Sequence, residues 1–122
     1  MASVMVVDDE DVLVEMLAAL VEDLGHHPIV AVNGREALAK LSTLDKAPSV
    51  IVVDIMMPQM NGLQFVEAVR SDPRYANIPI ILMSAASSPK NVNGATHFLA
   101  KPFDMQTLAD LIEQCINEHT TL

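Results

Sequence analysis

Five polar residues each end or follow a short apolar run: Asp8 and Asp9 after SVMVV, Asp54 in IVVDIMMPQMNG, Ser84 at the end of IILMS, and Lys101 after HFLA. Carboxylates, a hydroxyl and an ammonium are the parts that phosphoryl transfer requires. Two unit charges about 4 Å apart repel by roughly 4 kcal/mol at the effective dielectric near a protein surface, so three clustered carboxylates call for a cation. Oxygen donors with no His or Cys in the pattern point to Mg²⁺, a hard ion that keeps waters and leaves room for a phosphoryl oxygen. A carboxylate such as Asp54 can attack phosphorus and form an aspartyl phosphate. The metal and Lys101 would offset charge on the transferring group, and Ser84 would donate to one of its oxygens. Taken singly, the acids could open an acidic helix, Ser84 could be a turn residue and Lys101 a surface charge. Their shared position at strand ends makes them a candidate site.

The elements that must position them alternate along the chain. Short β-branched runs are separated by stretches with apolar residues at three- and four-residue spacing, the pattern of βα units. Strands are expected at 3–7, 29–32, 50–53, 78–83 and 97–100. Val12, Leu13, Met16, Leu17, Leu20, Val21 and Leu24 line one face of the first helix, which Gly25 stops. Asn33 with Glu36 reads as a capping box for a second helix, and Asn61 with Gln64 can cap a third whose buried stripe is Leu63, Val66 and Val69. Asp104 is the expected N-cap of a last helix that faces the core through Leu108, Leu111, Ile112, Cys115 and Ile116. Val50 to Val53 is apolar on both alternating faces, as in a parallel strand covered on both sides. The expected fold is therefore α/β, a doubly wound five-stranded parallel sheet of order 2-1-3-4-5 with helices on both faces. In that order ligands bind at the carboxyl ends of strands 1 and 3, where Asp8, Asp9 and Asp54 fall.

Composition narrows the class. At 122 residues the chain suits one domain with its own core. Sixteen acids against seven Lys and Arg give a net charge of −9, which argues against nucleic acid as a partner. Cys115 is the only cysteine, so no internal disulfide forms, and a free thiol fits a reducing compartment. No window reaches membrane-spanning length, so no membrane contact is expected and a cytoplasmic location is. The eight methionines read as core gap-fillers. His26, His27, His97 and His119 lack ligand spacing and receive no chemistry.

The segments VMVVDDE, VVDIMMPQMNG, ILMSA and FLAKPF together resemble the receiver domain of two-component response regulators, of the chemotaxis-regulator kind, across essentially the whole chain. That resemblance implies a flavodoxin-like fold; the order 2-1-3-4-5 is already known for a chemotaxis regulator of this family, so the two expectations are not independent. It also implies that Asp54 is the phospho-acceptor, that Asp8 and Asp9 are the acidic pair at Mg²⁺, and that the Met56 backbone carbonyl is a further ligand. Ser84 matches the switch hydroxyl and Lys101 the phosphate-pairing lysine. Pro58 and Gly62 match the turn and the start of the third helix. Phe98 stands at the switch aromatic, often Tyr in the family, and carries no hydroxyl. Met56 and Ala86 stand where the lifetime of the phosphoryl group is tuned. Neither side chain can orient an attacking water, so slow self-dephosphorylation is expected. The implied partners are a histidine kinase or phosphotransfer protein as donor and a downstream protein target. No output domain is expected to follow, and residues 1–122 are expected to form a single receiver domain, with no enzymatic activity beyond its own phosphorylation and dephosphorylation at Asp54.

One region departs from the family. Sixteen residues separate Ser84 from Lys101, and SSPKNVNGAT offers a single valine as apolar anchor. The helix between the fourth and fifth strands is expected to be shortened or irregular, and the face beside it reshaped. Other functions fit the residues less well or differ in one feature. An aspartyl-phosphate phosphatase would place an acid two residues past the nucleophile, where this chain has Met56. A nucleotide-binding module would follow strand 1 with a glycine- or hydroxyl-rich loop, where this chain has Asp8-Asp9-Glu10-Asp11, repulsive to phosphate without metal. A receiver-like scaffold that is never phosphorylated stays open through the altered helix region.

Overall fold

The computed structural model of the chain describes residues 2–57, 60–84 and 94–120. Along the chain run β1 (Ser3–Val7), α1 (Asp11–Asp23), β2 (His27–Ala31), α2 (Gly34–Thr43), β3 (Val50–Asp54), α3 (Gly62–Ser71), β4 (Ile80–Ser84), β5 (His97–Ala100) and α4 (Met105–Thr120). The five strands form one all-parallel, flavodoxin-like sheet of order β2-β1-β3-β4-β5, and the described residues include four helices. Both the doubly wound fold and its strand order are those expected from the pattern of runs.

The sheet is central because its strands have no polar face. All five residues of β3 and all five of β4 are buried. Strand alternation divides them between two cores. Met5, Val7, Ile51, Val53, Ile80 and Leu82 pack against Ala37 and Leu41 of α2 and Phe65, Val66 and Val69 of α3. Val4, Val6, Val50, Val52, Ile81 and Met83 pack against Leu17 and Val21 of α1 and Leu108, Ile112 and Cys115 of α4. Two helical layers thus cover opposite faces.

Several local expectations shift. β2 begins at His27 and includes Pro28, which an edge strand tolerates because its missing donor can face outward. β4 begins after Pro79, since Ile78 still closes a turn by donating to the Tyr75 carbonyl at 3.1 Å, and it extends to Ser84. Leu63 is 40% exposed instead of buried, because α3 turns the larger Phe65 fully into the core. Val12 and Met16 of α1 are likewise 71% and 49% exposed, the sheet being reached through Leu17 and Val21. Met5 and Met83 fill the core as expected, whereas Met16 and Met56 do not. Asn33 accepts from the Glu36 amide at 2.8 Å, but the Glu36 side chain pairs with Lys40 at 3.4 Å, so only half of that capping box forms. His26, unpartnered in the sequence pattern, accepts from the Ala2 amide through Nδ1 and reaches Glu113 on α4 through Nε2 at 2.6 Å. None of the described helices is long and apolar enough to cross a membrane. The shortened helix expected between β4 and β5 falls on residues 85–93, outside the described residues.

Candidate functional site

Parallel register aligns the strand ends. Val7 stands opposite Val53, Asp54 opposite Met83, and Ser84 opposite Ala100, so the residues at each run's end share one edge of the sheet. The Asp8 amide donates to the Ala31 carbonyl at 3.1 Å, the last rung of that ladder. The Asp8 side chain then accepts from the Glu10 amide at 3.0 Å, turning the chain into α1. On the neighbouring side the Lys101 amide donates to the Ser84 carbonyl at 2.7 Å, which carries the β4–β5 pairing one residue past β5.

Asp54 is held from below and from the loop that follows. Ile55 donates to the Met83 carbonyl and Gly62 donates to the Ile55 carbonyl, both at 2.9 Å. The start of α3 lies so close that a Cβ on Gly62 would stand 2.5 Å from the Asp54 carbonyl oxygen and 2.8 Å from the Ile55 Cα. Only glycine allows that approach. Asn61 fixes the helix start through a complete capping box, accepting from the Gln64 amide at 2.9 Å while the Gln64 side chain accepts from the Asn61 amide at 3.0 Å.

The result is a compact charged cluster. Lys101 Nζ lies 3.3 Å from Asp8 Oδ2, 3.4 Å from Asp54 Oδ2 and 3.5 Å from Glu10 Oε1. One carboxylate oxygen from each of Asp8, Glu10 and Asp54 falls within 4.8 Å of the other two. Asp8 is fully buried and Asp54 is 4% exposed. Burial pushes the Asp54 carboxyl above the usual carboxylate range and the Asp8 charge pushes it further, while Lys101 and the Met56 amide pull less strongly the other way. Burial likewise raises Asp8, against the opposing Glu10 amide and Lys101. For Lys101 burial alone favours the neutral amine, but the combined attraction of Asp8, Asp54 and Glu10 outweighs it and raises its pKa. One ammonium therefore does not neutralise this cluster. Asp54 Oδ1 is buried and has no hydrogen-bond partner among the described residues. An orphaned anionic oxygen beside hard oxygen donors carrying surplus negative charge is a fitting seat for a divalent cation such as Mg²⁺.

Of the residues singled out in the sequence, Asp8, Asp54 and Lys101 meet in this cluster. Ser84 is 2% exposed at the end of β4, beside β5. Asp9 is exposed and lies outside the three-carboxylate group. Met56 follows the site with its side chain 66% exposed. Phe98, half-buried on β5, packs on the core shared by α2 and α3. Ala86 and Pro58 lie outside the described residues. Glu10 joins the cluster unannounced; its one sequence signal was membership of the acidic run from Asp8 to Asp11. A groove of about 550 Å³ adjoins the cluster, lined by Glu10 and Lys101 and by the apolar Val12, Met16, Phe103 and Met105.

Known proteins share this arrangement of sequence and fold. The chain is 33% identical over 115 residues to chemotaxis protein CheY1 of Helicobacter pylori, covering 89% of this chain and 92% of that protein. It is 32% identical over 120 residues to response regulator Rre1 of Synechocystis sp., covering 93% of this chain but only 51% of Rre1, about half its length. The solved structure of chemotaxis response regulator CheY4 of Vibrio cholerae superposes with a TM-score of 0.85 at 36% identity, covering 94% of this chain and 98% of that one. Residues 4–113 match the family described as the response regulator receiver domain, and the chain belongs to that family.

Proposed function

We propose that residues 1–122 form one receiver domain that works as a phospho-switch, with Asp54 accepting a phosphoryl group from a histidine kinase or phosphotransfer protein and the change altering contacts with a downstream protein. The observation that carries this reading is the Asp54 carboxylate, buried at the sheet edge with Lys101 on one oxygen and, among the described residues, no hydrogen-bond partner for the other. An Asp54 oxygen attacks phosphorus, the phosphorus–nitrogen bond of a phosphohistidine donor breaks, and the imidazole keeps the electron pair. Lys101 follows the negative charge onto the phosphoryl oxygens, and the Ser84 hydroxyl donates to one of them. Asp8, Asp9, Asp54 and the Met56 carbonyl would hold Mg²⁺, which supplies charge neutralisation at the transferring group. The groove lined by Glu10, Lys101 and apolar side chains beside the cluster supports a docking seat for the donor protein there.

Incubation with Mg²⁺ and acetyl phosphate, followed by intact-mass measurement, tests the reading. One added phosphoryl group is expected on the wild type and none on Asp54→Ala. Label retained by the variant overturns the site assignment, and no label on the wild type from acetyl phosphate or from a panel of kinases favours a non-phosphorylated scaffold.

A further inference from the structure

Glu10 occupies the N-cap position of α1, where its carbonyl accepts the first helical bond from Val14 at 2.9 Å, yet its side chain makes no capping hydrogen bond. Ser, Thr, Asp and Asn are the residues that cap well at this position. The Glu10 carboxylate instead turns back across the loop to Lys101, 3.5 Å away, and stands within 4.8 Å of the Asp8 and Asp54 oxygens. An exposed side chain, 66% accessible, has thus been directed away from its own helix and toward a buried cluster of like charge. Asp54, in the same cluster, has its Oδ1 buried and without a hydrogen-bond partner among the described residues.

We propose that Glu10 is a third carboxylate arm of the cation site, a ligand to the divalent ion directly or through one water. This rests on the reading of the cluster as a cation site and adds a residue to it. Geometry supports the addition, since one oxygen each of Asp8, Glu10 and Asp54 already falls within 4.8 Å of the others, with the Glu10 oxygen 3.5 Å from Lys101 Nζ. Glu10 also has the reach that the role needs, since its flexible side chain can close on an ion while Asp8 and Asp54 stay fixed by the sheet.

Two substitutions separate this role from that of a simple helix-start acid. Glu10→Gln removes the charge and keeps the length. Glu10→Ser removes the ligand and installs a good N-cap. The probe is Mn²⁺, followed by the loss of its free-ion electron paramagnetic resonance signal, with thermal unfolding of the same metal-free samples alongside. Both variants are expected to bind Mn²⁺ roughly tenfold more weakly than the wild type. Glu10→Ser is expected to raise the metal-free thermal midpoint by roughly 3 °C, so that affinity and stability move in opposite directions. Mn²⁺ affinity in Glu10→Gln within about twofold of the wild type, while Asp54→Asn abolishes binding, overturns the role of Glu10 and leaves the cation site standing. A wild type that takes up no Mn²⁺ overturns the cation site itself.

Discussion

Asp54→Asn is the sharpest probe of the electrostatics, because it removes a charge and almost no volume. In metal-free buffer at neutral pH the ionised Asp54 faces Asp8 oxygens within 4.8 Å and Lys101 Nζ at 3.4 Å. At an effective dielectric of about 20 the repulsion costs about 3.5 kcal/mol and the attraction returns about 5 kcal/mol. That small surplus does not offset the several kcal/mol needed to desolvate a carboxylate with one oxygen that has no hydrogen-bond partner among the described residues. The charge on Asp54 therefore weighs against folding, and Asn should stabilise the metal-free protein by about 2 kcal/mol, or roughly 6 °C for a chain of this size. The sign of the pH dependence follows from the raised pKa. Folded Asp54 holds its proton to higher pH than the unfolded chain does, so its contribution is most favourable below the unfolded value and is lost as pH rises through the folded one. The advantage of Asn over Asp should accordingly shrink as the buffer is acidified from neutrality into the carboxylate range. Scanning calorimetry of both proteins with chelator present measures this. A variant less stable than the wild type at neutral pH, or a difference that does not change on acidification, refutes the reasoning.

Three further outcomes are expected. Gly62→Ala forces a Cβ against the Asp54 and Ile55 backbone and should cost about 1–3 kcal/mol, with loss of phosphoryl label beyond what unfolding explains, as read by denaturant titration and mass measurement. Asn61→Ala removes the capping box of α3 and should cost about 1 kcal/mol in the same titration. Met56→Asn places a hydrogen-bonding side chain at a position that is now apolar and exposed, and should shorten the lifetime of the phosphorylated form severalfold; an unchanged lifetime counts against a tuning role for Met56.

What was legible in the sequence and what was not have physical reasons. Asp8, Asp54 and Lys101 were found because each ends or follows an apolar run, and a parallel register brings such ends to one edge. The capping box at Asn61 and Gln64 was legible because it is a local bond over three residues. Glu10 was not, since a charged residue at a helix start reads the same whether its side chain caps the helix or leaves it. Leu63 and Phe65 exchanged places because Val66 and Val69 fit a helical period with either, and only contact with the sheet decides how α3 is rotated. His26 meets Glu113 across 87 positions of chain, a distance over which residue spacing carries no signal.

The two helical layers on either side of the sheet differ in charge as well as in composition. α1 contributes Asp11, Glu15, Glu22 and Asp23, and α4 contributes Asp110, Glu113 and Glu118, with no Lys or Arg in either helix. α2 and α3 set Arg35, Lys40 and Arg70 against Glu36 and Glu67. The charges of the described helices alone thus form a dipole directed through the sheet from one helical layer to the other. Near a basic surface it experiences a torque that turns the α1 and α4 layer inward before any atoms touch. Screening over about 8 Å at physiological ionic strength confines that torque to the last stage of approach. The helix charges therefore add an orienting contribution to that of the carboxylates at the strand ends.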